Sequence, residues 1–433
     1  HSILDDNGDG NLSTNGVPAC MGEGQIIKPR VKAEDSIAFI VWEDQRDGNS
    51  DIYAQKINSD GSTLWNDNGL AISTAMETQS EPRLTTDGDG GVYFVWEDQR
   101  NSDETGIDIY AQHVNSDGSV SHADDGVLIC DKPNLQFNPL VRNDGSDGAF
   151  IVWGDQRSGG SFGMYIQQLT SSGVAFLEDG RESFFGIATD AANEPYFHGA
   201  VYLDNDASLL YWQDNRWGQP KIYGTSIAAT FTGDASDYFN NNSLNGQLLT
   251  SFELAQREPK AILAGSQIAL SFLVEELPNE NYYLQLLNMD LSMNGSAISI
   301  ADPSTSKQGF EMIYGNDNYI YYAFSENYDI TVKKIDDNGV EQWDVSAITN
   351  SSDDIIRSIH SYPNDGCIII YESQSFIQGS HVFALALDGS GSVISGWPVS
   401  LSDLSGDQYF ESSVETGDGI FITFKDNTSG SYD

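Results

Sequence analysis

Residues 39–65 read FIVWEDQRDGNSDIYAQKINSDGSTLW, and residues 94–119 read FVWEDQRNSDETGIDIYAQHVNSDGS. A third copy, FIVWGDQR, starts at Phe150, and a fourth, LLYWQDNR, at Leu209. Later copies decay but keep an aromatic anchor, in the series Trp42, Trp96, Trp153, Trp212, Phe272, Phe324, Tyr371 and Phe424. The anchors recur at about 54 residues, a period that marks repeated supersecondary units. The path from Phe424 through the C-terminus and on from His1 to Trp42 supplies one further ordinary period.

Each unit predicts four strands. Strand a follows a proline, as in EPRLTTD from Glu81. Strand b is the apolar run that ends at the anchor. Strand c is DIYAQKIN from Asp51, and strand d follows the Asp60-Gly61 turn and carries Leu64 and Trp65. Asp-Gly between alternating runs is a strong hairpin signal. Four short strands at this period predict an all-β chain folded as one β-propeller of eight four-stranded blades, with seven blades as the alternative. The units are placed at 17–69, 70–126, 127–180, 181–246, 247–295, 296–346, 347–397, and 398–433 completed by 1–16. In that last unit QYFESSVETGDGIFITFKDN supplies strands a and b, and ILDDNGDGNLSTNG the rest. N- and C-terminal strands sharing one blade would leave no free sheet edge.

Composition agrees. The chain has 433 residues, 39% apolar and 11% aromatic, enough to bury a core despite the charge. Sixty-five acidic against 20 basic residues give a formal charge of −45. Such a surface repels nucleic acid and anionic membranes, and suits high solubility, a saline environment or divalent cations. No run of 18 apolar residues occurs, so no insertion into a membrane is expected. The three cysteines show no C-x-x-C spacing, so neither a disulfide framework nor a zinc site is indicated. Cys20 and Cys130 share one repeat position, where a small buried residue is expected.

EDQRDGNSDIYAQKINSDG, from Glu43, resembles TolB-like propeller repeats. The fuller VWEDQR, DIYAQ, DG and W pattern is similar to repeats in large secreted proteins of Bacteroidetes-like bacteria, which use type IX secretion. The resemblance is strong over about residues 30–220 and weak beyond. It implies an extracellular or cell-surface protein and carries no single established activity.

Repeated residues read as architecture. Asp44 and Arg46 recur as Asp98 and Arg100, Asp155 and Arg157, and Asp214 and Arg216, whereas a catalytic group is needed once. The unrepeated residues are the candidates for recognition. Counting one and three residues past each strand-a proline gives Arg30 and Lys32, Arg83 and Thr85, Leu140 and Arg142, Tyr196 and His198, and Lys260 and Ile262. The intervening residues are apolar, so period-two alternation assigns the two sets to opposite faces. Arg30, Lys32, Arg83, Arg142, His198 and Lys260 are therefore expected along a locally positive central channel. Such a channel would hold an anion, a carboxylated sugar or an acidic peptide tail; the alternative is that Glu81, Glu194, Glu258 and other carboxylates neutralise these cations. Arg216 with Trp217 forms a second candidate on a rim, beside the long departure from the repeat at 228–246. Asp5, Asn7 and Asp9 form half of a calcium loop, D-x-N-x-D-G, although Gly16 stands where a closing carboxylate is expected. No cofactor is otherwise required.

The first functional reading is a non-catalytic interaction, adhesion or surface-assembly module, with a protein or glycan partner at the cell surface. A glycan-binding or glycan-active propeller using the cationic channel is the second. A structural subunit of a larger extracellular polymer, with self-association, is the third. The S-x-D-x-G-x-T-W turn of sialidase propellers and the adjacent cysteine pair of quinoprotein propellers are both absent.

Overall fold

The computed structural model describes residues 2–4, 18–20, 24–145, 148–157, 163–170, 173–174, 185–188, 196–203, 207–216, 218–228, 246–276, 279–302, 304–305, 307–348, 353–363, 365–375, 379–401 and 406–426. The described elements are all strands, arranged as eight antiparallel sheets. In six of them four strands lie side by side in chain order. The first sheet comprises Ile26–Glu34, Ile37–Asp44, Asp51–Asn58 and Leu70–Ser73. The second comprises Gln79–Thr86, Val92–Asp98, Asp108–Val114 and Val127–Cys130. The third is led by Gln136–Asn143 and gains a fifth strand, because Gly173–Val174 and Phe185–Ala188 both pair with Gly163–Thr170. Tyr196–Leu203, Gln256–Ala264, Lys307–Tyr314 and Asp353–Ser361 lead the fourth to seventh sheets. In the eighth, Gln408–Thr416 pairs Gly419–Asp426, which pairs Ser2–Leu4 at the other end of the chain.

Each sheet packs on the next, and the leading strand of the eighth lies against that of the first. The core therefore sits between sheets. Phe39, Val41 and Ile52 of the first sheet meet Leu84, Phe94 and Trp96 of the second. Phe421 of the eighth meets Val31, Ile40 and Trp42 of the first. A strand covered on both faces needs no polar side, which is why Ile37–Asp44 is buried almost throughout and shows no alternation.

The repeat motif builds a clasp. Trp42 Nε1 donates to Asp44 Oδ2 at 2.9 Å, and Arg46 donates to the same carboxylate from its backbone and its guanidinium. The Arg46 guanidinium lies 4.1 Å over Tyr53, whose ring stacks on Trp42. Burial alone would raise the Asp44 carboxyl, but the bonds from Arg46 and Trp42 hold it below the usual range. Trp96, Asp98, Arg100 and Tyr110 repeat the arrangement, as do Trp153, Asp155, Arg157 and Tyr165, and Trp212, Asp214, Arg216 and Tyr223. Arg46 also meets Cys20 Sγ, Arg100 meets Ser73 Oγ and Arg157 meets Cys130 Sγ. The arginine thus reaches the outermost strand of the preceding sheet in the second and third copies, which explains the small residue at that position.

A second device joins sheets at their leading strands. The residue after the anchor accepts a backbone N–H from the next sheet: Glu43 from Glu81, Glu97 from Asn138, Ser325 from Ile356 and Glu372 from Phe410. Glu81 and Asn138 sit in bulges with φ of 52° and 50°, which turns their N–H groups out of their own ladder. Glu97 is 8% exposed. Burial pushes its carboxyl up to about 7, helped by Glu81 and opposed by the Asn138 N–H, Lys28 and Arg83. The folded state therefore holds this proton more tightly than the unfolded chain. Its contribution is full below about pH 4.5 and drains away as pH rises through 7. Glu97→Gln keeps the acceptor and removes the titration. Urea unfolding should show wild type losing about 2–3 kcal/mol relative to the variant across that window. Parallel stability curves would contradict this.

The fourth strand corrects the sequence reading. It begins at Leu70, not after Gly61, and Leu64 and Trp65 lie in a loop with one isolated bridge between Ile57 and Thr63. The cause is Gln55, whose amide accepts from Lys56 and Trp65 N–H groups and donates to Asn66 O. Gln112 does the same in the second sheet. The buried amide replaces the ladder that a longer strand would supply.

Candidate functional site

A cavity of about 330 Å³ lies against the leading strands of the first four sheets and the eighth. Arg30, Lys32, Arg83, Arg142 and His198 all line it, together with Thr85, Ser208, Ser412 and Ser413. No aspartate or glutamate is among its described lining residues.

The register explains how the cations converge. Lys32, Thr85 and Arg142 stand opposite Phe39, Tyr93 and Phe150, one matching position in three successive sheets. Arg30 and Arg83 stand two residues earlier, opposite Val41 and Val95. Val31, Leu84 and Val141, expected on the opposite face, line the same cavity. Each leading strand is the edge of its sheet, so side chains from both of its faces border the cavity.

The two levels differ electrostatically. Arg83 pairs with Glu81 at 3.3 Å, and Arg30 approaches Glu411 at 3.9 Å. Lys28 bridges Glu43 and Glu81 beside them. Burial, then repulsion from Arg83, pulls the Arg30 guanidinium down. Lys32 has no carboxylate partner among the described residues. Its ammonium is pulled down by burial and then by Arg142. Lys32 nonetheless keeps solvent contact.

Two expected members behave differently. Lys260 does not line this cavity; its ammonium bonds Glu311 at 2.6 Å and Phe310 O at 2.7 Å. Glu311 stands on the neighbouring sheet at the register of Lys260 itself, so a single-strand count could not reveal it. His198 reaches the cavity from another register. It occupies the bulge between Phe197 and Gly199, the place that Pro29 and Pro82 hold in their sheets. Its Nε2 is buried without a hydrogen-bond partner, and burial pushes the imidazole down to about 4, keeping it neutral near pH 7.

The rim and metal candidates separate as follows. Arg216 is held by Asp214 and stacks 3.7 Å over Tyr223, as the other clasp arginines do. Trp217, residues 229–245, and Asp5, Asn7 and Asp9 lie outside the described residues. Among the described residues no group of three acidic, histidine or cysteine side chains is placed to hold a metal.

Sequence reasoning missed two polar chains. Ser121 Oγ contacts His113 Nδ1 at 2.8 Å, and His113 Nε2 contacts Asp87 Oδ2 at 2.8 Å. Gln168 with Asp144 and Lys334 with Asp317 fill the same place in other sheets, so this chain is a turn support. Ser413 Oγ, at the cavity edge, meets His360 Nε2 and Ser358 Oγ at 2.8 Å each. Burial pushes His360 down to about 4. Neither histidine carries a local sequence signal, because Asp87 and Ser413, which complete the two chains, are distant along the sequence.

No family model matches the chain, and no curated protein matches it. Solved structures match in fold. One comes from a study of two prolyl endopeptidases, at 12% identity and TM-score 0.52, covering 94% of this chain and 55% of that one. Prolyl oligopeptidase B from Galerina marginata, in the apo form, gives 11% identity and TM-score 0.51 over 94% of this chain and 55% of that one. A PL25 ulvan lyase bound to -[GlcA(1-4)Rha3S]- gives 9% identity and TM-score 0.49, over 86% and 96%. The chain thus spans about 55% of the length of the two peptidases. At these identities the likeness is one of fold, β-propeller-like and all-β.

Proposed function

We propose that the chain is a single closed propeller of eight blades that serves as a non-catalytic binding module, secreted or displayed at the cell surface, and takes an anionic ligand in its cationic cavity. Packing of the eighth sheet on the first, and pairing of Ser2–Leu4 with Gly419–Asp426, support closure. The observation that carries the function is the composition of the cavity. Four cations and no described carboxylate line it, in a chain with a formal charge of −45. Chance placement on so acidic a chain would put carboxylates there.

Like charges gathered in one place repel unless a counter-charge arrives, which favours an anion beside Lys32 and Arg142. A general acid–base pair needs a titratable donor and acceptor in reach of the ligand. The described lining supplies only arginines, a lysine, hydroxyls and one neutral histidine, which favours binding over turnover. The extracellular setting rests on the repeat resemblance.

Isothermal titration with hexanoate, glucuronate and sulfate tests this reading, with methyl glucoside as the neutral control. At least one anion should bind with a Kd of about 1 mM or tighter, and the neutral sugar should not. Silence from all three anions would remove the proposal.

A further inference from the structure

We infer that the ligand is an aliphatic carboxylate whose head is seated by Lys32, Thr85 and Arg142 and whose body lies against Leu140 and Val141. This rests on the anion-binding reading above and narrows it in two respects, the level of the site and the chemistry of the ligand.

The level follows from pairing. Arg83 and Arg30 already face Glu81 and Glu411, and any anion there would compete with those carboxylates. Lys32 has no such competitor among the described residues. Its like-charged neighbour is Arg142, two sheets away at the matching register. Thr85 stands at that register on the sheet between them, 8% exposed, and among the described residues its hydroxyl has no hydrogen-bond partner. Two cations flanking a free hydroxyl match a carboxylate, which accepts from all three and relieves the repulsion between the cations.

The ligand chemistry follows from what the lining lacks. A sugar ring brings several hydroxyl donors, each needing an acceptor once desolvated. The described lining offers no carboxylate and no side-chain amide, and its hydroxyls are Thr85, Ser208, Ser412 and Ser413. No aromatic face is open for stacking either, because Phe150 is 3% exposed. Leu140 and Val141, half-buried beside Arg142, instead offer an apolar wall. A cavity of about 330 Å³ is at the small end of ligand sites and accepts a short acid.

Titration of acetate, butanoate, hexanoate and glucuronate into the intact chain tests both points. Hexanoate should bind about tenfold or more tighter than acetate, because added methylenes leave water, and also tighter than glucuronate. Lys32→Gln should weaken hexanoate about tenfold or more, while Lys32→Arg restores most of the affinity. Arg83→Gln should weaken it several-fold less than Lys32→Gln does. Thermal unfolding of each variant confirms folding, and Thr85→Val supplies a second probe of the same level if Lys32→Gln fails to fold. Glucuronate binding as tightly as hexanoate would overturn the ligand class and leave anion binding intact. Greater dependence on Arg83 than on Lys32 would overturn the level. Failure of every acid, together with sulfate, would remove the binding reading as well.

Discussion

Asp98→Ala should lower the unfolding free energy by about 3–5 kcal/mol, the range for breaking a buried ion pair from one side. Asp98 is fully buried and accepts from Trp96 Nε1, Arg100 N and the Arg100 guanidinium. Its removal strands the indole N–H inside the core and leaves a largely buried guanidinium without its counter-charge. Arg100 also donates to Asp125 O and stacks on Tyr110, so it cannot swing into water without giving up those contacts. A double-mutant cycle with Arg100→Ala would show coupling, since both residues serve one clasp. Urea unfolding measures it, and a loss under about 1 kcal/mol would mean the clasp is decorative.

The second large effect falls on a glycine. Gly126 has φ of 87°, and a Cβ there would come within 2.4 Å of Trp96 Cη2 and 2.8 Å of Ala111 O. Trp96 is buried on every side and cannot yield. Gly126→Ala should cost about 1–2 kcal/mol for the left-handed backbone and about 1–3 kcal/mol more for overpacking. Gly48 is the control. Its φ is 104°, but nothing lies within 4 Å of a Cβ there. Gly48→Ala should therefore cost the backbone component alone. Equal losses at the two sites would show that backbone strain, not closure of the glycine over the indole, sets the price.

The all-β class and the four-stranded antiparallel sheets were legible because their determinants are local. The apolar runs ending at Trp42, Trp96 and Trp153 announce strands within a few residues. The fourth strand was misplaced because Gln55 substitutes a side-chain amide for backbone pairing, and a glutamine inside DIYAQ gives no hint of that. Proline counting found Arg30, Lys32, Arg83 and Arg142 because Pro29, Pro82 and Pro139 share one bulge register. At Pro195 the count slipped, since His198 itself fills the bulge. At Lys260 the count was sound but the partner was non-local: Glu311, on the adjoining sheet, takes the charge.

The side-chain link from a second strand to the leading strand of the next sheet is not spread evenly. Glu43 and Glu97 reach from the first sheet to the second and from the second to the third, and Ser325 and Glu372 do so from the sixth to the eighth. Gly154 holds that place in the third sheet, with the Phe137 ring folded over it, and has no side chain to extend to the fourth. The seam between the third and fourth sheets is thus one of those without this link among the described residues. That seam is flanked by Arg142 on one side and His198 on the other, so a junction held by interlayer packing, without the side-chain tie, forms a wall of the cationic cavity.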